Sequence, residues 1–179
     1  MAFQQKANRT LNFLNRNFKT CNRRVKERLY TTYVRPSCES SSSAWDPQTE
    51  VNKEKLERVQ KRAAKFVTGK YGRDVSVTAE MRDLGWTPLV ERRARAKVTS
   101  VYKATHDMVD IPFDFPHTQT FLRGAKNYYI SFVRTNVCMN SYYPNAIRQW
   151  NKLPVSIRES ATLSDFERSI RGHTITHHY

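Results

Sequence analysis

Apolar residues spaced for one face of a helix run through the first hundred residues, and this spacing leaves little room for anything but a helical fold. Phe3, Ala7, Leu11, Leu14 and Phe18 recur at steps of four, four, three and four, the period of a single helical face. At 100° per residue, Arg9, Arg16 and Lys19 fall on the opposite side. Phe13 falls there too, so this helix is expected to touch something on two faces. A second helix is predicted from Asn22, a good N-cap, with Val25, Leu29 and Tyr33 inward. Pro36 should kink or end it near Arg35, because proline lacks the N–H and crowds the preceding turn. Residues 39–43 are polar, and Trp45-Asp46-Pro47 reads as a turn.

A third helix is predicted over residues 49–68, with Leu56, Val59, Ala63, Phe66 and Val67 as its apolar stripe and Gly69 and Gly72 at its end. Residues 76–84 form a short helix closed by Gly85. Thr87-Pro88 places a cap before a first-turn proline and opens a helix to about residue 108, with Val90, Ala94, Val98, Val101 and Met108 on one face. Ile111-Pro112-Phe113-Asp114-Phe115-Pro116 cannot continue it. The expected organisation is a basic helical domain at 1–108, a proline-rich linker at 109–120, and a C-terminal segment at 121–179. That segment is expected to hold one or two short strands within 128–138. A helix over 144–153 comes next, with Ile147 and Trp150 inward. A last helix opens at the capping box Thr162-Leu163-Ser164-Asp165 and ends near Gly172. The fold class is mainly α, a helical bundle followed by a smaller irregular α+β segment. Trp45 and Trp86, each beside a turn, are expected to be buried anchors.

Charge narrows the partner. The chain has 179 residues, with 31 Lys and Arg against 16 Asp and Glu, for a net charge of +15. Residues 1–103 carry 23 of those cations and 10 of the acids. Such a balance points to a polyanion, with nucleic acid ahead of lipid. Hydrophobic residues make up 39% of the chain, enough for a packed core. No apolar run approaches the ~20 residues of a bilayer span, and the first residues lack a signal core. Cys21, Cys38 and Cys138 are odd in number and far apart, which fits free thiols in a reducing, nuclear or cytoplasmic, compartment.

Catalytic motifs are missing. A nucleotidyl transferase needs carboxylates converging on metal ions, and the chain has no Asp-Asp pair, no glycine-rich phosphate loop and no Cys-x-x-Cys. His173, His177 and His178 are read as solvated tail residues and Cys138 as an ordinary thiol. No catalytic residue, cofactor or metal is expected.

Three groups of cations stand out. Arg58, Lys61, Arg62 and Lys65 lie at i, i+3, i+4 and i+7 on the third helix, a row that matches the charge spacing of a duplex backbone. Glu54 and Glu57 lie four residues before Arg58 and Lys61, the favourable order for helix ion pairs. Arg16, Lys19, Arg23, Arg24, Lys26 and Arg28 surround the first turn, with only Glu27 to offset them. Cations at the start of a helix oppose its dipole, and such uncompensated placement favours an external anion. The third group, Arg92, Arg93, Arg95 and Lys97, encircles its helix and reads as a solvated surface. Aromatics do not interleave with these bases, and Tyr128, Tyr129, Tyr142 and Tyr143 read as core and turn residues. The competing reading is a helical protein-interaction module whose basic face is merely solvated.

Several runs carry a resemblance. They are Lys6-Ala7-Asn8, Leu11, Phe13-Leu14, Arg16-Asn17, Val25-Lys26-Glu27, Tyr30, Val34-Arg35-Pro36 and Trp45-Asp46-Pro47. Then come Leu56-Glu57, Val59-Gln60, Arg62-Ala63-Ala64, Phe66-Val67, Leu84-Gly85-Trp86, Pro88-Leu89 and Arg92-Arg93. The last are Arg134-Thr135, Ser141-Tyr142-Tyr143-Pro144, Ala146-Ile147 and Trp150-Asn151-Lys152-Leu153-Pro154. In order and spacing, residues 6–155 resemble the C-terminal region of jockey-like non-LTR (LINE-type) retrotransposon reverse transcriptases, comprising the thumb and the segment downstream of it. The resemblance implies a helical thumb that grips an RNA–DNA or DNA template–primer duplex. It also implies that the fingers, palm, catalytic aspartates and endonuclease lie outside this sequence, which is then expected to be a fragment of the polyprotein. The sequence departs from the family between Pro36 and Trp45, where Ser37, Cys38, Ser40 and Ser41 stand at usually apolar places.

Overall fold

The computed structural model describes residues 2–39, 49–109, 119–122, 125–130, 134–139 and 141–173. The fold is mainly α. Two compact units divide the chain, Met1–Arg92 and Arg93–Tyr179.

In the first unit, α1 (Ala2–Asn17) is followed by α2 (Arg23–Leu29), a π-helical turn (Tyr30–Val34) and α3 (Arg35–Glu39). The Asn22 side chain caps α2 by accepting from Val25 N–H at 2.9 Å. Pro36 does not end this run. The Arg35 N–H reaches back five residues to the Tyr30 carbonyl, so the ladder widens just ahead of the residue that has no N–H to place in it. The predicted inward set is also displaced. Val25 and Tyr33 are exposed, Leu29 is half-buried, and Tyr30, Val34 and Cys38 fill the core instead. Cys38, one of the polar or thiol residues between Pro36 and Trp45, is thus buried, while Trp45 and the serines at 40–43 lie outside the described residues.

The long helix α4 (Glu50–Thr68) is the centre of this unit and packs on α1, α2 and α5 (Val77–Asp83). Its predicted stripe is buried throughout, joined by Ala64. Gly69 ends it at φ 72°, a left-handed conformation that costs glycine little. Ser76 caps α5, and Gly85 leads into Trp86. Trp86 is buried and stacks on Tyr30 with ring centroids 4.3 Å apart, its indole N–H donating to Glu27 Oε1 at 3.2 Å.

The boundary between units falls within α6 (Leu89–Thr105), not at the expected linker of 109–120. Leu89 belongs to the first core, whereas Ala94, Val98, Val101 and Tyr102 build the second. Residues 110–118 lie outside the described residues. The helix ends at Thr105, short of the predicted 108, because Asp107 turns left-handed at φ 52° and leaves Met108 exposed.

In the second unit, β1 (Gln119–Leu122) pairs antiparallel with β2 (Ala125–Tyr128), Gln119 opposite Tyr128. The expected strands lay later, in 128–138; of that range Tyr128 closes β2 and α7 (Asn136–Met139) occupies the end, while 131–133 lie outside the described residues. Then come α8 (Tyr142–Lys152), α9 (Val155–Arg158) and α10 (Leu163–Gly172). Tyr102 stacks on Phe166 at 4.4 Å and donates to the Ser160 carbonyl at 2.8 Å. Asn151 clasps the Tyr128 backbone, accepting its N–H at 3.0 Å and donating to its carbonyl at 2.8 Å. Thr162 caps α10 through Asp165 N–H at 3.1 Å, as the capping box predicts.

The Trp86 stack sets the first expectation for experiment. Trp86→Ala should cost about 3–5 kcal/mol in urea denaturation through the lost ring. Trp86→Phe keeps an aromatic ring on Tyr30 and leaves Glu27 without its donor, for a cost of about 1–3 kcal/mol. Equal costs for the two variants would show that the stacked ring contributes nothing beyond the indole N–H, and a Trp86→Phe variant as stable as wild type that the N–H contributes nothing.

Candidate nucleic-acid interface

The cations singled out in the sequence separate into distinct roles. Arg16, Lys19, Arg23, Arg24 and Arg28 are all exposed around the α1–α2 turn, and none has a carboxylate partner among the described residues. Arg16 stands in the last turn of α1, where the dipole favours it. Arg23 and Arg24 open α2, whose first turn holds no acidic residue. The one acid of this stretch, Glu27, is half-buried and turned inward to Trp86.

Lys26 behaves differently. Its ammonium lies 5.5 Å from the centroid of the Phe66 ring on α4, so it joins α2 to α4. The α4 row is likewise not uniform. Arg58 pairs with Glu54 at 3.1 Å, an exposed pair of little energetic worth. Arg62 forks onto α1, donating from Nη1 to Asn8 Oδ1 and from Nη2 to Asn12 Oδ1, both at 2.7 Å. Both acceptors are neutral amides, so Arg62 is held in place with its charge uncancelled. Lys61 is exposed and Lys65 half-buried.

Glu57 does not pair with Lys61 as its spacing predicts. Its Oε1 accepts the Val90 backbone N–H at 3.0 Å, at the start of α6. A carboxylate there satisfies an N–H that has no partner within the helix and faces the positive end of the dipole. Beside it, Gln60 donates to the Thr87 carbonyl at 3.1 Å. Desolvation is the largest influence on Glu57 and raises its pKa; the backbone N–H groups of Val90 and Leu89 oppose that.

The third cationic group is structural, contrary to its reading as a solvated surface. Arg92 donates to both oxygens of Glu39, at 2.5 and 3.2 Å. Arg93 is 4% exposed and Lys97 1% exposed. Lys97 Nζ lies 3.4 Å from Asn145 Oδ1, and Arg95 donates to the Arg171 carbonyl at 3.1 Å. Helical periodicity showed cations all round α6, which suits a solvated helix as well as one whose neighbours supply polar partners.

One feature escaped sequence reasoning. Asn8, Asn12 and Asn15 form a polar row at i, i+4 and i+7 on α1; Arg62 docks on the first two and the Tyr71 hydroxyl donates to Asn15 Oδ1 at 3.3 Å. The asparagine spacing was legible, but its partners are 50 or more residues away.

The second unit holds a cavity of about 420 Å³ lined by His106, Tyr128, Trp150, Arg158 and Ser160, among others. Among the described residues, no group of His, Cys, Asp and Glu could hold a metal ion, and no helix is long and apolar enough to cross a membrane. His177 and His178 lie outside the described residues.

The raised pKa of Glu57 has a definite sign. Its folded form holds the proton more tightly than the unfolded chain does, so its contribution to stability is fully present below the ordinary value of 4.5 and is lost as pH rises through the raised folded value. Glu57→Gln removes that titration. The stability of wild type minus that of Glu57→Gln should therefore fall as pH climbs from about 4 to about 7, measured by urea denaturation. A difference that grows over this interval would overturn the account. Comparison of the chain with protein-family models, curated proteins and solved structures gave no match.

Proposed function

We propose that the first unit is a non-catalytic module that holds a nucleic-acid duplex through its phosphates. On this reading the chain is a fragment of an RNA-directed DNA polymerase of a non-LTR retrotransposon, acting as that polymerase's thumb beside a palm and fingers supplied elsewhere in the polyprotein. One observation carries the reading. Five exposed cations crowd the α1–α2 turn while Glu27, the one acidic residue of residues 1–38, is turned inward to Trp86. Folding with so little compensation leaves a concentrated positive field, which a polyphosphate backbone neutralises with release of its counterions. Recognition would be by charge and shape, because phosphate contacts fix register without reading bases.

A helical protein-interaction module is the second reading. The exposed Arg58–Glu54 pair favours it on the outer part of α4, where part of the cationic row is already matched within its own helix.

Affinity of the full chain for a random-sequence DNA duplex, measured at several salt concentrations, separates the two. The logarithm of the association constant should fall linearly with the logarithm of salt concentration. Arg23→Ala with Arg24→Ala should weaken binding at every sequence tested and reduce the slope by about 0.9 for each phosphate no longer neutralised. Arg58→Ala should have a smaller effect. Arg93→Ala should disturb the fold, seen by circular dichroism, since that side chain is buried. Unchanged affinity and slope in a folded Arg23/Arg24 double variant would leave these cations as a solvated surface.

A further inference from the structure

Tyr71 is 58% exposed in the connection between α4 and α5. Its hydroxyl is held by Asn15, the residue immediately before Arg16 in α1. The ring therefore lies at the end of α1, where the exposed cations of the α1–α2 turn begin with Arg16 and Lys19. Arg73, also exposed, stands two residues after it. Lys70 precedes it and is tied to Glu80 at 2.6 Å, while Gly72 brings no side chain that would cover the ring. In the linear sequence Tyr71 and Arg16 are far apart, so no interleaving of aromatics with bases was visible; folding creates it.

We propose that Tyr71 is a base-stacking residue at the edge of the phosphate-binding surface, so that the nucleic acid taken there is a duplex bearing an unpaired, single-stranded end. This rests on the duplex-binding reading above. Within a duplex each base is covered on both faces by its neighbours, and only an unpaired base offers a free π-face to an aromatic ring. Stacking of this kind tolerates any base, which matches a surface without base-reading groups. The hydrogen bond to Asn15 fixes the ring before binding, so less side-chain freedom is given up when a base arrives.

The test uses the full chain and three DNA probes: a blunt duplex, the same duplex with a short single-stranded extension, and that extension made abasic so that it keeps its phosphates without bases. Wild type should bind the extended duplex roughly tenfold more tightly than the blunt one. The abasic extension should give no such gain. Tyr71→Ala should abolish the preference while leaving blunt-duplex affinity and its salt slope unchanged, and Tyr71→Phe, which keeps the π-face, should preserve it. Equal wild-type affinity for the blunt and extended probes, a gain that survives with the abasic extension, or a preference that survives Tyr71→Ala would overturn the proposal. Blunt-duplex binding with its salt dependence would still stand in each of those cases. Failure of all three probes to bind would overturn both this proposal and the reading on which it rests.

Discussion

Carboxylates are the scarce group in the first unit, and the fold places them at its own joints. Glu27 takes the indole N–H of Trp86, Glu39 takes the guanidinium of Arg92, and Glu57 takes the opening N–H groups of α6. Each of these acids links segments far apart in sequence. Each is half-buried as it does so. The positive field around the α1–α2 turn is therefore a consequence of how the core is assembled and not merely of a high count of Lys and Arg. A chain with more acidic residues on α1 and α2 would keep the same apolar packing and lose that field.

How much of the fold was legible in the sequence depends on how local each signal is. Caps and glycine stops rest on a few adjacent residues, and Asn22, Ser76, Thr162, Gly69 and Gly85 stand where those local patterns place them. The α4 stripe was legible because about five turns of regular helix average out local noise. The inward face near Pro36 was not, because a π-helical turn over Tyr30–Val34 shifts the face there and no residue type announces it. Val25 lies upstream of that turn and is exposed, while its neighbour Lys26 reaches the Phe66 ring of α4. The unit boundary was missed for a related reason. Prolines near 112 mark where a helix must stop, whereas the division inside α6 is set by which core each part of one continuous helix serves. Cations proved the least legible: Arg92, Arg93 and Lys97 look on paper like Arg23 and Arg24, and only distant partners tell them apart.

Some of the residues in the runs that carry the resemblance build the core. Ala63, Ala64, Phe66 and Val67 are buried in α4. Gly85 turns left-handed and Trp86 stacks on Tyr30. In the Trp150-Asn151-Lys152-Leu153-Pro154 run, Trp150 and Leu153 enter the second core while Asn151 pins the hairpin to α8. These are scaffold positions, fixed by packing. The exposed Arg23, Arg24 and Arg28 lie outside these runs and stand on their own charge and placement.

Arg62 shows how the scaffold and the proposed surface meet. A lone arginine on a helix samples many rotamers and loses that freedom when it takes a phosphate. Here two asparagines of α1 hold the guanidinium without cancelling its charge. The next asparagine in the same row holds Tyr71. A neutral amide is the side chain suited to this task, because a carboxylate at Asn8 or Asn12 would fix Arg62 equally well and neutralise it. The row on α1 thus holds one cation along the helix and one aromatic ring near the end that leads into the exposed basic turn, and it does so with groups that leave the local field positive.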